Sequence, residues 1–236
     1  MSYSALSSPL LYASQLKYRL SLAKKRLTHY PVDSMNFIMM DLERPHMRAR
    51  HAHWCTYDLT GRLLFFYSVA DGVDGEHIDC LTELFERIMN NRHPSGTFGN
   101  YFEYNGDTTE DIPYIGTHFL SGLVSYYSLT GDMRALNAAQ ECANFLLGHG
   151  NAFYARMADP TGPSQMTCWI VEGFADLYVE TRNEDYLNAI RRIVKECMGQ
   201  YYNAHSHGYL TTLRGILKAG ICAEDQELID LVCARR

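Results

Sequence analysis

Apolar positions recur every three or four residues through long stretches of this chain, and short polar or glycine-containing segments interrupt them. That spacing belongs to one face of a helix rather than to the alternation of a strand. An opening helix is predicted at about residues 10–28, with Leu16, Leu20, Ala23 and Leu27 along one side. Three longer segments then share one grammar, in which an apolar helix reaches a tyrosine, a polar turn follows, and an amphipathic helix comes next. They run Tyr57–Tyr67 then Glu76–Met89, Gly116–Tyr127 then Met133–Leu147, and Trp169–Tyr178 then Tyr186–Met198. A weaker fourth unit runs Tyr209–Leu217 then Ile229–Cys233. The matching tyrosines, Tyr67, Tyr127 and Tyr178, recur roughly every 50–60 residues, the mark of stacked supersecondary units. Asn105-Gly106, which could turn a hairpin of strands, is flanked by polar residues. The fold class expected is therefore all-α, with helical hairpins in series forming an (α/α) toroid or an incomplete toroid arc.

The connections alternate in length. Within each hairpin the turn is short, at about 68–75, 129–132 and 179–184; between hairpins the link is long, at about 29–53, 93–113, 149–166 and 202–208. In an up-down series, links of one kind emerge at one end, so the long ones gather on a single face. Ordered loops of that length commonly carry function, and a cleft is expected there.

Composition narrows the classes. With 236 residues and 47% hydrophobic content, the chain can form one domain over residues 1–236, of about four hairpins. The net charge of −6, with Lys and Arg dispersed, lacks the footprint of a nucleic-acid binder. No run approaches the roughly 20 apolar residues of a membrane span. The seven cysteines are odd in number and scattered, without a Cys-x-x-Cys pair, so no disulfide framework is expected. Reduced thiols fit a cytoplasmic setting. His51-x-His53 and His205-x-His207 lack a placed carboxylate, and neither a metal nor another cofactor is expected.

The residues that open each helix after a long link carry the candidate chemistry. Trp54 and Trp169 stand at matching positions, and each is followed three or four residues later by a carboxylate, Asp58 or Glu172. That spacing puts ring and acid on one side of a helix. Aromatic planes beside acids and imidazoles suit a sugar, whose C–H faces stack and whose hydroxyls take hydrogen bonds. Asp58 and Glu172 are the catalytic candidates, with Asp111 and Asp176 in reserve. Trp54, Arg62, Tyr104, Tyr114, His118 and Trp169 are the substrate-binding candidates. Phe98, Tyr101, Phe102, Phe153 and Tyr154 would add to the cleft wall. The same residues have plainer roles open to them: the tryptophans as core filling, Asp58 as a partner of Arg62, Glu172 as a first-turn acid on the helix dipole, His118 as a core histidine.

Four segments carry a resemblance: Arg19-Leu-Ser-Leu-Ala-Lys-Lys-Arg-Leu27, Asp58-Leu-Thr-Gly-Arg-Leu-Leu, Gly116-Thr-His-Phe-Leu-Ser-Gly-Leu-Val-Ser-Tyr-Tyr-Ser-Leu-Thr-Gly-Asp132 and Val171-Glu-Gly-Phe-Ala-Asp-Leu-Tyr-Val-Glu-Thr181. Their pattern resembles the six-hairpin (α/α)-toroid glycosidases, most closely the β-L-arabinofuranosidase-type glycoside hydrolase family 127, in shortened form. The resemblance implies a carbohydrate ligand, with sugar-contacting positions at Trp54, Asp58 and His118. It also implies a glutamate acid/base and a cysteine-rich zinc site with a cysteine nucleophile. This sequence has no adjacent Cys-Cys pair, and Cys222 and Cys233 do not reproduce that arrangement.

The function expected is glycoside hydrolase-like, binding or hydrolysing a glycoside in the long-link cleft. Two alternatives stand beside it. A sugar lyase or epimerase on the same fold would lean on His118 with Tyr104 or Tyr114. A non-enzymatic helical-repeat scaffold would instead use its concave surface, with another copy capping the open ends of the arc as a homo-oligomer.

Overall fold

A computed structural model describes residues 15–28, 34–43, 58–98, 117–158, 169–198 and 206–234. The described residues form eleven helices, with one antiparallel bridge between Arg92 and Phe98 and no strand. In chain order they are α1 (Gln15–Thr28), α2 (Ser34–Glu43), α3 (Asp58–Asp74), α4 (Leu81–Asn90), α5 (Thr117–Thr130), α6 (Met133–Gly148), α7 (Asn151–Ala158), α8 (Ile170–Thr181), α9 (Glu184–Cys197), α10 (Ser206–Ala223) and α11 (Gln226–Cys233). The fold is all-α. None of these helices is long and apolar enough to cross a membrane.

Among the described residues the helices pair as hairpins, α3–α4, α5–α6, α8–α9 and α10–α11. Their first helices form an inner row, in which α3 packs on α5, α5 on α8, and α8 on α10. The row is parallel. Near the helix starts, Gly61 meets the backbone of His118 and Phe119, Gly173 meets Leu120, and Gly208 meets Trp169. Near the ends, Gly72 meets Leu129, the Ser128 hydroxyl donates to Glu180, and Arg182 donates to the Cys222 carbonyl. Close approach is built from small residues: a Cβ added at Gly122 would stand 2.7 Å from the Gly61 carbonyl oxygen. Buried almost all round, α8 exposes nothing large between Ile170 and Tyr178. The outer helices are amphipathic. On α4, Leu81, Leu84, Phe85 and Ile88 point inward, and on α9 Tyr186, Leu187, Ile190 and Ile193 do the same.

The hairpin turns share one solution. Gly131, Arg182 and Glu224 each adopt the left-handed region that ends a helix, at φ 74, 57 and 56°. Asp132, Asn183 and Asp225 then cap the next helix by accepting from a backbone N–H.

Three expectations change. The first inner helix does not stop near Tyr67 but runs on to Asp74, and the turn lies at 75–80, because Gly75 (φ 68°) supplies the left-handed stop. The Ile78 N–H then bonds Asp71 Oδ1 to set the next entry. Two of the long links also contain helices of their own. In α2, Met35, Met39 and Leu42 are buried, and in α7 Phe153, Tyr154 and Met157 are buried. The Phe98 ring is core as well, fully buried and stacked on Phe119 at 4.4 Å. Phe98, Phe153 and Tyr154 therefore belong to the packing rather than to a cleft wall. Tyr101 and Phe102 lie outside the described residues.

Candidate functional site at the mouth of the inner row

Because the inner helices run parallel, their N-terminal ends converge, and so do the positive ends of their dipoles. Trp169 sits at this mouth, at the N-cap of α8. It is 6% exposed yet stands apart from the main apolar core. Polar rings surround it instead. His118 of α5 and His207 of α10 lie at 5.1 Å between ring centroids on tilted planes, and the Arg62 guanidinium of α3 stands over the indole at 4.8 Å. The Gly208 backbone also lies against the ring, where a Cβ would stand 2.1 Å from the indole nitrogen. Residues from the other three inner helices, α3, α5 and α10, thus meet around the tryptophan that caps α8.

One turn further in, Glu172 is buried, and both of its carboxylate oxygens pair with Arg214 of α10, at 2.6 Å from Nε and 2.7 Å from the terminal nitrogen. Such a two-point ion pair fixes orientation as well as charge. Asp176 lies a turn deeper and pairs with Lys218. Burial pushes its carboxyl above the ordinary aspartate range and the Glu172 charge adds to this, while Lys218 and the facing Ser121 hydroxyl pull the other way. Acids at i and i+4 on α8 therefore face bases at i and i+4 on α10.

The sequence candidates fall as follows. Arg62, His118 and Trp169 come together, with Glu172 one turn below Trp169. Asp58 is the first residue of α3, and its side chain lies outside the described part. Trp54, Tyr104, Tyr114 and Asp111 also lie outside the described residues. His207, Arg214 and Lys218 complete the arrangement. The last two could have been noticed as bases four residues apart in the fourth unit, matching the spacing of Glu172 and Asp176.

Among the described residues, no three His, Cys, Asp or Glu side chains gather as metal ligands. The Cys142 and Cys197 thiols are buried, and burial pushes that of Cys142 up to about 12. The described part of the mouth thus offers no ligand set for the zinc centre that the resemblance implies. An open groove of about 320 Å³ on the outer side, lined by Asn144, Tyr154, Asn188 and Arg192 among others, shares no residue with the mouth.

The family model described as β-L-arabinofuranosidase, GH127 catalytic domain, matches residues 78–218, more than half of the chain. The matched span takes in His118, Trp169, Glu172, His207, Arg214 and Lys218, and leaves Trp54, Asp58 and Arg62 before it. No curated protein and no solved structure matches the chain.

Proposed function

The chain belongs to the β-L-arabinofuranosidase GH127 catalytic-domain family, and from that membership we propose that it takes a glycoside at the mouth of the inner row, between the links that precede α3, α5, α8 and α10. The family makes it glycoside hydrolase-like. The observation supporting this location is the cluster at Trp169. A tryptophan that fills a core sits among aliphatic neighbours, whereas the described neighbours of this one include two imidazoles and a guanidinium. With its ring so enclosed, Trp169 acts by holding His118, His207 and Arg62 in place, and those side chains bind hydroxyls. Trp54, Tyr104 and Tyr114 supply the apolar wall.

If the bound glycoside is hydrolysed, two carboxyl groups flank the bond, roughly 5–5.5 Å apart for retention or 6.5–9.5 Å for inversion. Asp58 and Glu172 fill these places. Glu172, gripped at both oxygens by Arg214, suits the charged role, and Asp58 the proton-donating one.

The test is calorimetric titration with a panel of glycosides that includes p-nitrophenyl β-L-arabinofuranoside, alongside release of p-nitrophenol. Binding that weakens at least about tenfold in His118→Gln supports the mouth as the site. Turnover lost in both Asp58→Asn and Glu172→Gln, with binding retained, supports hydrolysis by that pair. A panel that binds equally well to wild type and His118→Gln would remove the mouth from consideration.

A further inference from the structure

The large apolar side chains that remain exposed are not scattered over the molecule. Among the described residues they are Leu16, Tyr18 and Leu22 on α1, Phe37 on α2, Leu210 and Ile221 on α10, and Met133 on α6. All but Met133 lie at the two ends of the helix series. The interior of the series shows why. Between α3 and α10, each inner helix is covered on both sides by its neighbours in the row. Among the described residues, a helix at either end is packed by the row on one side only.

The two ends also differ in charge. α1 carries Lys17, Arg19, Lys24, Lys25 and Arg26 and no acid, although the whole chain has a net charge of −6. Lys24 is buried and donates to the Glu76 carbonyl, which anchors the helix, while Arg19, Lys25 and Arg26 are exposed around Tyr18 and Leu22. At the other end, Glu224, Asp225, Glu227 and Asp230 follow the exposed Ile221, and α11 contains no base. Asp225 is occupied by Arg191 and by capping α11; Glu224, Glu227 and Asp230 are exposed.

We propose that the apolar edge made by the basic α1 and by α2 is a docking surface for the apolar edge made by α10 and the acidic α11 of a second copy of this chain. The exposed bases of α1 are opposite in charge to the exposed acids Glu224, Glu227 and Asp230, and both edges have apolar area to bury. Like edges would repel, so the contact is head to tail rather than two-fold symmetric. Such a contact leaves one edge of each kind open on every dimer. Assembly therefore continues into a ring if the rotation closes and into an open chain if it does not. The inner-row mouth is not used in the contact, and the inference stands whether or not the mouth binds a glycoside.

The experiment is sedimentation velocity on the full chain from about 1 μM to about 1 mM, at low and high salt. Mass that climbs with concentration and falls with salt is expected. Two surface variants decide the geometry, Arg19→Glu/Lys25→Glu/Arg26→Glu and Glu224→Lys/Glu227→Lys/Asp230→Lys. Circular dichroism checks that both fold. Each alone should self-associate at least about tenfold more weakly than wild type. Mixed in equal amounts, they should regain the self-association of wild type, because the intact acidic edge of the first meets the intact basic edge of the second and the two reversed edges are again opposite in charge. A wild-type monomer across the range, a variant that still associates like wild type, or a mixture that does not regain association would each overturn the proposal.

Discussion

Glu172 of α8 and Arg214 of α10 face each other across the last joint of the inner row, with the carboxylate buried and the guanidinium more than half exposed. The asymmetry sets what their removal does. Arg214→Ala strips the partner from a buried charge, whereas Glu172→Gln leaves a solvated arginine beside a neutral amide. Breaking a fully buried pair from one side costs about 3–5 kcal/mol, and the exposure of Arg214 brings this down to about 1–3 kcal/mol. Arg214→Ala should lower the thermal midpoint by several degrees, and Glu172→Gln by less. Scanning calorimetry of both variants at neutral pH checks the order.

A methyl group at position 208 cannot coexist with the indole of Trp169, because the Cβ would stand 2.1 Å from its nitrogen. Gly208→Ala must therefore push the ring, and with it the contacts to His118, His207 and Arg62. Overpacking of this kind costs about 1–3 kcal/mol. A displacement of the mouth on the scale of an ångström should weaken glycoside binding by at least about tenfold. Trp169 is one of two tryptophans in the chain, so a shift in emission on substitution reports the movement directly.

The hairpins were legible because their signal is local. Inner helices rich in Gly, Ser and Ala and outer helices with a clean apolar stripe both show in a single sequence. Gly131-Asp132 announces a stop and a cap within two residues, and the structure uses it so. The extra turns of α3 were obscured by Asp71-Gly72-Val73-Asp74-Gly75, which reads as a loop until the glycine at 72 is seen to lie against Leu129. For α2 the cue was present, since Met35, Met39 and Leu42 fall on one helical face. The salt-bridge ladder was not legible in the same way. Glu172 and Asp176 are visible as a spaced pair, and so are Arg214 and Lys218, but only the register between α8 and α10 brings them together. That register is set by Gly215 lying against the Val171–Glu172 backbone, which no periodicity records.

Asp225 closes the last hairpin by two means. Its carboxylate accepts from the Leu228 N–H as the cap of α11, and it pairs with Arg191 at 2.8 Å. Arg191 chiefly, with the backbone donors, holds this carboxyl below the ordinary aspartate value of 3.8. A folded-state value lower than the unfolded one means stabilisation that is complete above about pH 4 and is lost as pH falls through the folded value. Asp225→Ala should cost about 1 kcal/mol or somewhat more at neutral pH and speed amide exchange in α11. The gap between variant and wild type should close in strong acid, as read by denaturant midpoints at pH 7 and below pH 3.

Asp176 should behave in the opposite sense. Its carboxyl is pushed above the unfolded value of 3.8, first by burial and then by the charge of Glu172, and the attraction of Lys218 does not fully offset this. A group whose folded-state value is raised binds its proton more tightly in the native protein. Stability from this site is therefore greatest in acid, falls as pH rises from about 4 through the folded value, and stays reduced above it. Replacing the charge by a neutral amide removes that penalty and lets Lys218, about one-third exposed, turn toward water. Asp176→Asn should thus be neutral to stabilising at pH 7, by up to about 1 kcal/mol, and should lose that advantage near pH 4. Thermal midpoints of wild type and Asp176→Asn across this range give the comparison. A variant destabilised by more than about 2 kcal/mol at pH 7 would show instead that the Lys218 pair holds α8 to α10 more strongly than burial opposes it.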